Sequence, residues 1–285
     1  MAAILKGAPV AAAVYERARA SAESLRARGV SPKLAVVRLG ENDADVYYER
    51  SIIKCCAKAG VEAERIILPA STGEGELLEL VDRLNRDESI HGVLIFRPLP
   101  RHIDDGKVRD RLSPEKDVDG ITDASLGGIF TGSGRGFAPC TAEACMEMLR
   151  FYGVGTAGKR ACVIGRSLVI GKPVSQLLMA ENATVTVCHT KTRALAEETA
   201  RADILIAAAG RAKAVSAEHV SPGQVVIDVG INTDEDGKMC GDVDFAAAEP
   251  TVGAITPVPG GVGTVTTALL CEHVVRAAER AVKRG

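Results

Sequence analysis

Five short segments hold the residues most able to do chemistry. Residues 255–266 read ITPVPGGVGTVT. Two prolines stiffen the backbone just before three glycines, so the loop is rigid yet presents bare N–H and C=O groups. A helix over 265–283 follows. Such a loop suits contact with a flat ligand, although an ordinary strand-to-helix turn reads the same way. Upstream lie DVGIN at 228–232, VIGRS at 163–167, KDVDG at 116–120 and RPLP at 97–100.

The VIGRS segment is a strand–turn–helix start. A strand over 160–164 ends in Gly165-Arg166-Ser167, and Gly171, Lys172 and Pro173 open the next helix. Gly165 supplies the tight turn, and Pro173 suits a first helical turn. The helix N-terminus would face a pyrophosphate. Ser167 replaces the second glycine of GxGxxG, so any βα turn remains an alternative. In an NAD site an acid roughly 20 residues on holds the ribose 2′-OH. Here the next strand runs out through Cys188-His189-Thr190-Lys191-Thr192-Arg193, with no acid. Hydroxyls and positive charge, with the Arg166 guanidinium, suit a 2′-phosphate. NADP is therefore favoured, with NAD possible. His189 reads as a strand-end residue without catalytic duty.

Elements must position these residues. Apolar periodicity predicts helices over 9–28, 43–59, 73–86, 141–152, 171–180 and 193–201. It predicts strands over 33–39, 63–68, 92–96, 160–164, 184–188, 204–208 and 225–229. The alternation argues for an α/β fold with parallel strands. Loops dominate from 98 to 139, and the glycines at 127–136 mark a domain junction. At 285 residues, 46% of them hydrophobic, the chain suits two medium domains or one large one. Aromatics are only 3%, so the cores are aliphatic. A net charge of −2, with both signs interspersed, supports neither a nucleic-acid nor a polybasic membrane surface. No apolar run approaches the roughly 20 residues of a membrane span, and MAAILKGAPV lacks the pattern of a secretion signal. The eight cysteines follow no metal-ligand spacing. They read as reduced, mostly buried thiols of a cytoplasmic protein, Cys140 among them.

In this order the five segments resemble the methylenetetrahydrofolate dehydrogenase/cyclohydrolase family, over nearly the whole chain. The resemblance implies a folate-binding catalytic domain, 1–139 plus 268–285, and a Rossmann-like NAD(P)-binding domain, 140–267. The active site would lie in a cleft between them, with the last helix returning to the first domain. It implies oxidation of 5,10-methylenetetrahydrofolate in one-carbon metabolism, hydrolysis of the methenyl product, and a homodimer. Gly165, Arg166, Ser167, Thr190 and Ile231 match cofactor-binding positions. Tyr48 matches the ring that stacks on the substrate and Asp119 the pterin anchor; both are candidate catalytic residues. Pro259, Gly260 and Gly263 match the backbone that cradles the ring. Arg97 is a further basic candidate for an acidic substrate tail.

Three positions depart from the family. Its cyclohydrolase lysine is Ile52 here, and the glutamine that holds that lysine, in a QLPLP-like segment, is Phe96. The proline usual after GGVG is Thr264. Lys54 is no substitute. At about 100° per residue, Tyr48, Ile52, Cys55 and Ala59 share one helix face, while Arg50, Lys54 and Lys58 form a separate solvated stripe. Loss of both amine and amide leaves no unpaired polar group, as expected of a site that has shed its water chemistry. Two other readings stay open: another Rossmann oxidoreductase of the shikimate-dehydrogenase type, and a non-catalytic folate- or nucleotide-binding regulator. Arg166→Ala is expected to raise KM for NADP about 10- to 150-fold, far more than that for NAD, through the loss of a charge-assisted contact. Steady-state assays with both cofactors check this, and equal losses would remove Arg166 from the 2′-phosphate.

Overall fold

The computed structural model describes residues 1–284, the last by its backbone alone. In chain order the elements are β1 Ala3–Ile4, α1 Gly7–Arg26, β2 Lys33–Leu39, α2 Asp43–Ala59, β3 Glu62–Leu68, α3 Glu74–Arg86, β4 Gly92–Ile95, α4 Asp105–Arg111, α5 Asp123–Thr131 and α6 Cys140–Phe151. There follow β5 Arg160–Ile164, α7 Gly171–Ala180, β6 Thr184–Cys188, α8 Leu195–Ala200, β7 Ile204–Ala207, β8 Val225–Asp228, β9 Asn232–Thr233, β10 Met239–Cys240, α9 Phe245–Ala248, β11 Ala254–Ile255 and α10 Val262–Arg284. They form two compact units. One comprises Ala12–Cys140 and Thr267–Gly285, the other Met1–Ala11 and Thr141–Thr266.

The first unit is built on a parallel sheet of order β3-β2-β4. The central strand is buried on both faces, and its side chains alternate between two cores, as strand period dictates. Leu34 and Val36 join Ala18, Ala22 and Leu25 of α1, Ile52 and Cys56 of α2, and Leu270 and Val274 of α10. Ala35 and Val37 join Leu77, Leu80 and Val81 of α3 and Val108 of α4. The start of α2 is specified locally. The Asn42 side chain accepts the Ala44 N–H at 2.9 Å, and Asp43 and Asp45 suit the positive end of the helix dipole.

The second unit carries a parallel six-stranded sheet of order β1-β11-β8-β7-β5-β6. Its core joins Cys162 and Ile164 of β5, Leu205 and Ala207 of β7, Val226 of β8 and Ile255 of β11. The strand order reverses between β5 and β7, and ligands of open parallel sheets bind in the crevice beyond such a reversal.

Three expectations change. Met1–Ala11 joins the second unit, because β1 pairs with β11 in the register Ala3↔Ala254 and Ile4↔Ile255. The stretch 98–139 is not loop throughout: Asp104 and Thr122 cap α4 and α5, their side chains accepting first-turn N–H groups. The glycines at 127–136 mark no junction. Gly127 and Gly128 lie inside α5, where a Cβ on Gly128 would stand 2.0 Å from the Arg135 carbonyl oxygen, and the division falls at Cys140.

One polar pair ties α2 to the sheet. Glu49 and Arg38, both under 5% exposed, meet at 3.0 Å between Oε2 and Nε, and Arg38 also donates to the Gly40 carbonyl. Removing the acid alone would strand a buried guanidinium. Glu49→Ala is expected to cost about 3–5 kcal/mol in urea unfolding, whereas Arg38→Met with Glu49→Leu should cost far less.

Candidate active site

In the second unit β5 and β6 run in register from Arg160↔Thr184 to Ile164↔Cys188, so the residues that follow them leave the sheet side by side. The Gly165 N–H donates to the Cys188 carbonyl at 2.8 Å. Gly165 has φ +117, and a Cβ there would stand 2.2 Å from the Ala208 carbonyl oxygen, so glycine is required on both counts. A Cβ on Gly171 would likewise meet the Gly165 carbonyl oxygen at 2.2 Å. This is the close turn-to-helix packing that a dinucleotide turn needs, and the residues present fit such a ligand. Arg166, Ser167, Thr190 and Lys191 are all exposed beyond the two strand ends. The first turn of α7 is less open than the sequence suggests. The Lys172 N–H is given to the Ser167 carbonyl at 3.1 Å, the Ile170 N–H to Ser167 Oγ at 3.2 Å, and Pro173 has no N–H.

The DVGIN and PVPGGVG segments of this unit meet. Asp228–Ile231, Met239 and residues 257–264 line a cavity of about 260 Å³. Ile231 is 70% exposed, and a Cβ on Gly263 would lie 3.8 Å from its Cδ1. Pro259, Gly260 and Gly263 are exposed, and Gly260 has φ +97 with open space around its missing Cβ. The loop rests on the start of the chain. The Gly7 N–H donates to the Gly260 carbonyl at 2.8 Å, and a Cβ on Gly7 would stand 2.1 Å from the Gly261 carbonyl oxygen.

In the first unit the folate candidates come together at the carboxyl end of β4. Tyr48 packs on Phe96, with ring centroids 5.3 Å apart and planes 42° to each other. Ile52 is fully buried and Phe96 is 7% exposed, both in the core that also holds Cys56, Cys140 and Val118. Lys54 is exposed, so it does not turn inward to take the place of the absent lysine. Burial, then Asp119, Cys140, Cys55 and Cys271, push the Tyr48 phenol up. Burial, then Asp117, push the Asp119 carboxyl up to about 6, while Arg97, His273 and a hydrogen bond from Cys140 pull it back. Asp117 is structural: it accepts the Ile121 and Thr122 N–H groups and the Ser125 hydroxyl at 2.6–3.0 Å. Arg97 is engaged with α4, its Nε 3.3 Å from Asp105 Oδ1.

Sequence reasoning passed over His273. It is fully buried on α10, donates from Nδ1 to the Val118 carbonyl at 2.8 Å, and lies 3.6 Å from Cys140 Sγ. Its ring is 4.9 Å from that of Phe137. The signal was a histidine on the apolar stripe of an amphipathic helix. A larger cavity, about 810 Å³, is lined by Lys33, His91, Lys116 and Arg280 together with Glu62, Glu88 and Glu115. It lies at the amino ends of β2 and β4, the wrong end for a parallel-sheet ligand site. Lys116 is already committed there, donating to the Leu84 and Asp87 carbonyls at 2.6 Å.

The fold and these residues define a two-unit α/β protein with a Rossmann-like dinucleotide-binding unit. Residues 5–119 match the tetrahydrofolate dehydrogenase/cyclohydrolase catalytic domain, and residues 139–282 match the NAD(P)-binding domain of the same family. The chain belongs to the tetrahydrofolate dehydrogenase/cyclohydrolase family. It is 48% identical over 281 residues to the bifunctional protein FolD of Carboxydothermus hydrogenoformans, covering 98% of each chain. The crystal structure of the bifunctional FolD dehydrogenase/cyclohydrolase of Campylobacter jejuni superposes with a TM-score of 0.95 at 38% identity, covering 98% of this chain and 99% of that one. The Trypanosoma brucei dehydrogenase–cyclohydrolase, solved with NADP and an inhibitor, gives a TM-score of 0.91 at 35% identity, over 99% of both chains.

The raised Asp119 carboxyl has a signed consequence. Its proton is held more tightly in the folded state, so its contribution to stability is full below about pH 4, the unfolded value. That contribution is lost as pH rises through about 6. Asp228 is also pushed up to about 6, chiefly by burial, so total stability does not isolate Asp119. Asp119→Asn does: the stability of the variant relative to the parent should grow from pH 4 to about 7 and then level. Urea midpoints across that range check this, and a flat difference would mean that Asp119 titrates normally.

Proposed function

We propose that this chain is an NADP-dependent 5,10-methylenetetrahydrofolate dehydrogenase with little or no methenyltetrahydrofolate cyclohydrolase activity. The supporting observation is the closed, apolar environment of Ile52 and Phe96, where the family resemblance puts a lysine and its glutamine. NADP, when bound, accepts the hydride from the methylene carbon of the substrate. That transfer needs no side-chain acid or base, only the two carbons held about 3–3.5 Å apart. Adding water to the methenyl bridge does need a tuned polar group. The exposed Lys54 does not supply one, and the chief ionisable groups around Tyr48 are Asp119 and thiols.

In this reading Tyr48, braced by Phe96, is the stacking platform for the substrate ring. Aromatic pairs of this kind add roughly 0.5–1.5 kcal/mol beyond buried area. Asp119 anchors the pterin as a carboxylate. Pro259, Gly260 and Gly263 offer backbone to the ring. Gly165, Arg166, Ser167, Thr190 and Ile231 bind NADP, with Arg166 and Thr190 on the 2′-phosphate. The thiols are reduced and the enzyme is cytoplasmic and homodimeric. Among the described residues no helix is long and apolar enough to cross a membrane.

Two assays on the purified protein test the reading: NADPH formation from methylenetetrahydrofolate, and hydrolysis of methenyltetrahydrofolate. Rapid NADPH formation with negligible hydrolysis is expected. Ile52→Lys alone should not restore hydrolysis and should destabilise the fold by several kcal/mol, because the ammonium enters an apolar core beside Phe96. Ile52→Lys with Phe96→Gln should gain hydrolysis, more than the single changes together, as expected of neighbouring groups. Parent hydrolysis as fast as NADPH formation would show that another group activates the water.

A further inference from the structure

The cofactor reading leaves two buried carboxylates of the second unit without a role. Asp228 closes β8 and is 3% exposed, and Asp242 is fully buried. Neither forms an ion pair with a described lysine or arginine; both are satisfied by backbone and amide donors. Asp228 Oδ1 accepts the Gly230 N–H at 3.0 Å and the Asp242 N–H at 2.9 Å, and Oδ2 accepts the Val243 N–H at 3.0 Å. Asp242 Oδ2 accepts the Gly210 N–H at 2.9 Å, and Oδ1 accepts the Arg211 N–H at 3.0 Å and the Asn232 amide at 2.9 Å. A Cβ on Gly241 would stand 1.8 Å from Asp228 Oδ2, and one on Gly230 would stand 2.4 Å from Asp242 Cγ. The glycines of DVGIN and GDVD thus permit the carboxylates to nest.

The donors belong to loops that leave the carboxyl ends of neighbouring strands, where a dinucleotide lies in such a sheet. Gly210 and Arg211 follow β7. The loop they belong to begins at Ala208, whose carbonyl sets the limit on Gly165 and whose N–H donates to the Ile164 carbonyl at 2.8 Å. Gly230 and Asn232 flank Ile231 after β8. The segment that carries Asp242 is itself fixed, since Val215 N–H donates to the Asp242 carbonyl at 2.9 Å and Asp244 N–H to the Val215 carbonyl at 2.8 Å. Asp242 therefore projects from a fixed segment into the loops after β7 and β8.

The geometry points to Asp242, supported by Asp228, as a positioning residue that sets the loops on both sides of the bound cofactor. This inference rests on the dinucleotide reading of this unit. Asp242 touches no cofactor atom. It acts through the backbone at Gly210 and Arg211 and through Asn232, and hence on the Gly165 turn and on Ile231. A contact to the 2′-phosphate would discriminate between NADP and NAD. A device that sets the loops does not, because both cofactors share the nicotinamide ribose and pyrophosphate.

Asp242→Asn keeps the shape but turns an amide N–H₂ toward a donor, so at least one loop is released. Asn232→Ala removes only the link to the loop after β8. NADPH and NADH dissociation constants should be measured by fluorescence titration, with folding checked by circular dichroism and amide exchange followed at 210, 211 and 230 in the ligand-free protein. Asp242→Asn is expected to weaken both cofactors at least about tenfold, the smaller loss for a charge-assisted bond, and by a similar factor. Exchange at 210 and 211, whose acceptor is Asp242, should be faster, with 230, held by Asp228, as the internal reference; the affinity loss of Asn232→Ala should fall between variant and parent. Folded variants that bind within about twofold of the parent would overturn the inference and leave the dinucleotide reading intact. If Asp242→Asn fails to fold, Asn232→Ala decides. A parent that binds neither NADPH nor NADH would overturn the dinucleotide reading and this inference with it.

Discussion

Parallel strands need a crossover to return to the starting end of a sheet, and that requirement places the chemistry of this chain. Within each unit the loops that leave the carboxyl ends of the strands lead into the crossover helices and carry the candidate residues. Gly165, Thr190, Ile231 and Pro259 follow β5, β6, β8 and β11 of one unit. Phe96 follows β4 of the other, and Tyr48 lies early in the helix after β2. The cores are aliphatic, and parallel pairing holds these loop ends in fixed register. Polar side chains in the loops then decide what can bind.

The pair Ile52 and Phe96 shows how desolvation constrains what a core position can hold. A lysine in that core would need an amide to hold its charge, and an amide there would need the lysine. Changing one without the other would leave a buried polar group unpaired. Changing both leaves a packed apolar wall, and Phe96 then gives Tyr48 a ring to lean on at 5.3 Å. The same apolar packing that leaves no unpaired polar group in this core thus also braces the ring of Tyr48.

Long, strongly periodic elements were legible in the sequence. β2 alternates between two cores, and α2 carries its cap, its acidic first turn and its buried face in consecutive residues. The motif loops were legible because proline and glycine leave few backbone options. The two-residue strands β1 and β11 were not, since two residues carry no period and their pairing spans most of the chain. α4 and α5 were hidden by glycines, although Asp104 and Thr122 stood at their starts as ordinary caps. At the candidate site, Tyr48, Asp119 and the cofactor turn came from motifs. His273 and the Asp228–Asp242 node did not, because hydrogen bonds between distant loops leave no local pattern. The glycines of DVGIN and GDVD were visible, but their partner atoms were not.

The pairing of Ala3 with Ala254 also bears on how the molecule is made. On the ribosome, β1 and Gly7 emerge long before β11 and the Gly260 loop that they support. The first unit waits as well, because Leu270, Val274 and Ala278 of α10 complete its core. The second unit lacks its full set of partners until β11 and the Gly260 loop have been synthesised, and the first until α10 has. Contacts of such high sequence separation are slow to form and leave apolar strand edges open in the interval. For most of its synthesis the chain therefore holds two unfinished sheets, and the contacts that close them join residues far apart in sequence.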